Sequence, residues 1–153
     1  MEDAVLFFHL LGALAFAAGI ALAGFAFEGA RRCERPSEVT LLLGLARSGA
    51  LLVIFGALLV LACGLWLVDL GDVGFGTGWV DAAIALFTVA LLFGGLGGRR
   101  PKRARQLAAR LERQGGQADA ELRILLDDPL SRAANYASAA LVLAILALMV
   151  FKP

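Results

Sequence analysis

Residues 4–27 run for twenty-four positions without a formal charge, from just after Glu2 and Asp3 to just before Glu28. As a helix this run would be roughly 36 Å long at about 1.5 Å per residue. That exceeds the roughly 30 Å of bilayer hydrocarbon, so the stretch reads as a membrane span with room to tilt. Its one polar side chain is His9, set among Gly and Ala. Ala21-Leu22-Ala23 resembles a signal-peptidase site, but the run opens on acidic rather than basic residues and continues past it. We therefore expect it to be retained.

Three further runs repeat the pattern, at 48–68, 82–98 and 133–151. The chain has 153 residues, 60% of them hydrophobic and 18% charged, and its mean hydropathy is +0.82. A soluble domain of this length could not hide so much apolar surface. In lipid only helices and closed barrels satisfy their backbone, and runs of this length are helices. The expected fold is all-α: one domain, a polytopic membrane protein built as a four-transmembrane-helix bundle. The third run ends in Gly94, Gly95, Gly97 and Gly98, so its end is expected to fray.

Charge then sets the orientation. Segment 28–47 carries Arg31, Arg32, Arg35 and Arg47, and segment 99–132 carries nine more basic residues. Together they hold thirteen of the fourteen in the chain. Glu2, Asp3, Asp69, Asp72 and Asp81 lie at the opposite ends of the runs. The positive-inside rule places both basic loops, 28–47 and 99–132, in the cytoplasm and both termini outside. Within 102–130, Leu107, Leu111, Leu122, Leu125 and Leu126 alternate with charges, which predicts two short amphipathic helices. Gly115-Gly116 would separate them, Asp119 would lie near the second N-cap, and Pro129 would mark the turn into the fourth span.

Small residues let helices approach closely in lipid. Gly12 and Gly19 lie seven apart in the first span, and Gly49, Gly56 and Cys63 lie at sevens in the second. These spacings predict a seam between two antiparallel spans. His9 shares a helical face with Gly12, Ala13 and Phe16, which turns it into the bundle. Trp66, Trp79 and Tyr136 fall near span ends, where interfacial aromatics belong.

His9, Cys63 and Met149 are the candidate ligand set, placed at similar depth near the outer ends of their spans. A soft ion such as copper(I), or haem with His9 as axial ligand, would suit these donors. In the competing account His9 hydrogen-bonds a carbonyl or Ser on a neighbouring helix, Cys63 is a small packing residue and Met149 faces lipid. Cys33 and Cys63 sit in different environments, so no disulfide is expected. Arg99, Arg100, Lys102, Arg103 and Arg105 follow the third span directly. They are an orientation signal and a candidate site for anionic lipid headgroups. No aromatic residue is interleaved with them, which argues against nucleic acid. Segment 69–79 is glycine-rich but lacks the Lys and Ser/Thr of a phosphate loop, and reads as a tight connection. Asp69, Asp72 and Asp81 are a weak cation set there. No span holds a carboxylate or Lys, and no catalytic triad or zinc motif occurs, so transport and hydrolysis rank low. An enzyme of lipid or haem-precursor chemistry would have His9 alone to draw on.

Four segments carry a family resemblance: FFHLLGALAFAAGI (7–20), GLWLV (64–68), GTGWVDAAIALF (76–87) and LMVFKP (148–153). They resemble the uncharacterised bacterial predicted integral membrane proteins that look related to the copper-resistance protein D membrane domain. In that pattern a first-span His is followed by Gly, as His9 is by Gly12. Phe16 stands where the pattern has Trp. The resemblance implies the fold, and by its copper link a metal role for His9. The leading functional expectation is a non-enzymatic helix-packing component, as a homo-oligomer or a subunit of a membrane complex. Haem or copper handling through His9 is the alternative.

Overall fold

The computed structural model describes residues 1–70, 78–97, 99–115 and 120–151. Six helices make up the described chain: α1 (Glu2–Arg32), α2 (Pro36–Leu70), α3 (Gly78–Gly97), α4 (Arg99–Arg113), α5 (Ala120–Leu126) and α6 (Pro129–Phe151). No strand occurs among the described residues. Four helical stretches are long and apolar enough to cross a membrane, and they contain α1, α2, α3 and α6. The architecture is an all-α, four-helix membrane protein.

Local chemistry explains the boundaries. Glu2 and Asp3 occupy the first turn of α1 and Arg31 and Arg32 its last, each sign facing the favourable end of the helix dipole. Pro36 opens α2, where its missing N–H and fixed φ cost nothing. Pro101 lies within the first turn of α4, for the same reason. Gly115, at φ 63°, adopts the left-handed conformation that ends α4. Asp128 precedes α6, and its Oδ2 accepts from the Ser131 backbone N–H at 2.9 Å and from the Ser131 hydroxyl at 2.8 Å. Asp128 thereby caps an end that Pro129 leaves with one fewer N–H to satisfy.

Two expectations are corrected. Segment 28–47 is not a long loop: α1 runs to Arg32 and α2 starts at Pro36, so only residues 33–35 connect them. At 31 and 35 residues, α1 and α2 span about 46 and 52 Å, well beyond the hydrocarbon thickness. Their basic ends continue as helix because Phe27, Ala30, Val39 and Leu43 are buried there. The second correction concerns the end of the third span, where helix persists through Gly94, Gly95 and Gly97. A backbone in an apolar setting keeps its internal hydrogen bonds whatever the propensity of its residues. Gly116 and Asp119 lie outside the described residues, as does Asp72.

The helices form two antiparallel pairs, α1 with α2 and α3 with α6. Phe16, Ala57, Phe87 and Ile145, one from each of the four long helices, form the core where the pairs meet. There the Phe16 and Phe87 rings lie 5.5 Å apart. A second core sits at the basic end. Ala104 and Ala108 of α4 and Leu122 and Leu126 of α5 are completely buried against Phe27, Ala30, Val39 and Leu43. The two amphipathic helices therefore pack onto the projecting ends of α1 and α2.

Candidate functional site

The α1–α2 contact is built from glycine. A Cβ added at Gly56 would sit 2.5 Å from the Phe16 backbone N and 2.7 Å from the Gly12 O. At Gly19 it would sit 2.7 Å from both the Gly49 O and the Val53 N, and at Gly49 2.7 Å from the Ala23 N. At Gly12 it would meet the Val60 N at 2.9 Å. All of these neighbours are backbone atoms, so the two helices touch main chain to main chain over several turns. Such an approach is available only to residues without a side chain.

His9 stands one turn beyond Gly12 on this seam. Its Nδ1 lies 3.1 Å from the Val60 carbonyl oxygen. A carbonyl only accepts, so Nδ1 carries the proton and, in the neutral ring, Nε2 keeps its lone pair. Gly64 makes room for the ring: a Cβ there would meet His9 Cε1 at 3.1 Å and Nδ1 at 3.3 Å. Cys63 is buried on the same helix with a free thiol. The register that sets Gly12 beside Val60 and Phe16 beside Gly56 puts Cys63 level with His9. Met149 of α6 packs against the Phe16–Ala57–Phe87–Ile145 core. Among the described residues no group of three or more His, Cys, Asp or Glu side chains could hold a metal ion. Val60 and Gly64, the residues in contact with the ring, escaped the sequence reading. The sevenfold spacing led to Cys63, whereas the space for imidazole comes from its neighbour.

The basic end holds the other candidates. Lys102 and Arg103 of α4 are exposed, and Arg105 is half-buried. Arg99 and Arg100 belong to the first turn of the same helix. An ion-pair fork ties this end together. Arg31 donates through Nη2 and Nε to Asp127 Oδ1 at 2.8 and 3.2 Å and through Nη1 to Glu28 Oε2 at 3.0 Å. Arg123 Nη1 donates to the Arg31 carbonyl oxygen at 3.0 Å. The Asp127 carboxylate, above all, raises the Arg31 pKa from its ordinary value. Cys33 donates weakly to the Gly29 O at 3.4 Å, and burial, reinforced by Glu38, pushes its thiol pKa up. A groove of about 770 Å³ opens between α2 and α4, with Leu41 and Leu45 on one wall and Arg105 and Gln106 on the other.

A family model described as predicted integral membrane protein (DUF2269) matches residues 3–153. The chain belongs to this family. No curated protein and no solved structure matches it. Membership agrees with the helices: this is an integral membrane protein, in contact with the lipid bilayer, of a family whose description names no activity.

Proposed function

We propose that the chain is a non-enzymatic membrane component that works by helix packing, as a homo-oligomer or as a subunit of a larger membrane complex. The main-chain contact along Gly12, Gly19, Gly49 and Gly56 carries this reading. It makes the α1–α2 hairpin a stiff unit, while Leu51, Ile54, Phe55 and Leu58 of α2 stay exposed for lipid or a partner helix. Both termini face outward from an inner membrane. Segments 28–47 and 99–132 lie at the cytoplasmic face, where Arg99, Arg100, Lys102, Arg103 and Arg105 meet anionic headgroups. Reporter fusions at each terminus test the orientation, and a cytoplasmic C-terminus overturns it. In-membrane cross-linking followed by mass determination tests the assembly. A chain that stays monomeric with no cross-linked neighbour refutes the packing role.

A second reading has one observation in its favour. A histidine that donates Nδ1–H to a carbonyl presents Nε2 as a ligand in a fixed tautomer, the usual arrangement at metal and haem sites. A metal role is also what the sequence resemblance of His9 and Gly12 to the copper-resistance protein D pattern would imply. His9 would bind haem or copper, with Cys63, Met149 or a second copy's His9 completing the site. The protein purified in detergent and supplied with haem or copper is the test. A Soret band, or stoichiometric copper, that vanishes in His9→Ala supports the reading, and a colourless, metal-free protein excludes it.

A further inference from the structure

We propose that the groove between α2 and α4 is a binding site for one anionic glycerophospholipid, with its phosphate on Arg105 and its acyl chains over Leu41 and Leu45. This deepens the headgroup contact proposed above by giving it a single seat, and it rests on that contact only for the sign of the lipid charge. Four observations carry it.

Arg105 is half-buried on the groove wall, and its guanidinium makes no hydrogen bond or ion pair among the described residues. Arg31, at the same end of the molecule, is satisfied by two carboxylates, whereas Arg105 keeps its charge open to an anion from outside the chain. None of the groove-lining residues is acidic, and Gln106, Thr40 and Ser48 add polar groups at its edge. The opposite wall is aliphatic, with Leu41 75% and Leu45 45% exposed. Apolar side chains left open beside a lone cation match an amphiphile, charged at one end and hydrocarbon at the other. Gly44, between these leucines, has nothing within 4 Å of the position of a Cβ. Its missing side chain therefore opens the groove and serves no helix contact, unlike the glycines of the α1–α2 seam.

The volume suits the occupant. About 770 Å³ falls within the roughly 300–1,000 Å³ of small-molecule sites, enough for a headgroup, its glycerol and the first part of two acyl chains. Position matters as well. The groove lies alongside residues 40–48 of α2, at the end where α4 and α5 pack onto it.

The experiment uses the full chain in dodecyl maltoside and follows its melting temperature as phosphatidylglycerol, phosphatidylcholine or inorganic phosphate is added. Phosphatidylglycerol should give a saturable rise that neither of the others reproduces. Removal of one cation in Arg105→Gln should weaken the apparent affinity about fivefold, the factor set by one surface charge near an anionic lipid. Gly44→Leu should abolish the rise by filling the groove, while melting no lower than the wild type in the absence of lipid. Arg113→Gln, on the same helix but outside the groove lining, should keep the rise, and Lys102→Gln/Arg103→Gln, which removes headgroup contacts outside the groove, is compared with it. An equal response to phosphatidylcholine, or an unchanged response in both Arg105→Gln and Gly44→Leu, overturns the site. Loss of the response only in the Lys102/Arg103 variant shows diffuse surface attraction and overturns the groove while sparing the broader headgroup contact. An equal response to inorganic phosphate shows an anion site and overturns the lipid assignment.

Discussion

Gly56→Ala should loosen the first hairpin, and the size of the effect follows from where the new methyl would sit. Its Cβ would lie 2.5 Å from the Phe16 N, 2.7 Å from the Gly12 O and 2.8 Å from the Phe16 Cα, against 3.4 Å for an ordinary contact. All three atoms are main chain in a continuous helix, so no rotamer change relieves the clash. The helices must part by about 0.9 Å at that level, which disturbs the equally close contacts at Gly19 and Gly49. Overpacking of this kind costs about 1–3 kcal/mol. Alanine is intrinsically the better helix former, by about 0.8–1.0 kcal/mol, and the net change in one variant therefore understates the clash. Gly24→Ala is the control: it lies on α1, with nothing within 4 Å of its Cβ position, and gains the propensity without the overlap. The difference between the two variants isolates the contact and should be about 1–3 kcal/mol. Reversible unfolding in mixed detergent micelles, followed by circular dichroism, measures it. A Gly56→Ala protein as stable as Gly24→Ala would refute the main-chain seam.

Asp128→Ala should lower stability by about 1 kcal/mol in the same assay, because the α6 N-terminus loses its cap. Asp127→Asn should cost about 0.2–1 kcal/mol, and the difference should shrink as salt is added, since this carboxylate is 56% exposed. The raised Cys33 pKa keeps the thiol protonated at neutral pH. Only the thiolate reacts, so maleimide labelling should be slow at pH 7 and rise with pH, with an inflection above the roughly 8.5 of a free thiol. Inflection at or below that value would contradict the half-buried, acid-flanked setting.

How much of this was legible in the sequence depends on which force places each residue. The four apolar stretches were visible because lipid imposes length and uniform hydrophobicity on every residue of a span. The seam was visible too, since Gly12, Gly19, Gly49 and Gly56 repeat at sevens and glycine in a membrane helix marks close approach. The helical ends of α1 and α2 were not. Residues 28–47 carry Arg31, Arg32, Arg35 and Arg47, and that charge density reads as a loop. Val39 and Leu43 were the available signal: they lie four apart and are buried against α4 and α5, the spacing of a helix face rather than of a turn. The Arg31–Asp127 pair joins residues ninety-six apart, and no local pattern announces it. The Arg105 groove likewise depends on how α4 lies against α2.

The two readings of His9 share one bond and part at one atom. Donation from Nδ1 to the Val60 O serves packing by joining α1 to α2, and it serves ligation by fixing Nε2 as an acceptor. Polar contacts between membrane helices average about 0.6 kcal/mol, so the bond alone makes His9 replaceable. On the packing reading the ring matters mainly as volume over Gly64, and His9→Phe should stay within about 1.5 kcal/mol of the wild type, as volume-conserving swaps do. It should assemble normally and complement a deletion strain. On the ligand reading the same variant keeps its stability and assembly but loses complementation, because phenylalanine fills the space and has no nitrogen. Stability and function measured together on His9→Phe therefore separate the accounts. A variant that unfolds outright fits neither, and would show that the ring's place between Val60 and Gly64 has been misjudged.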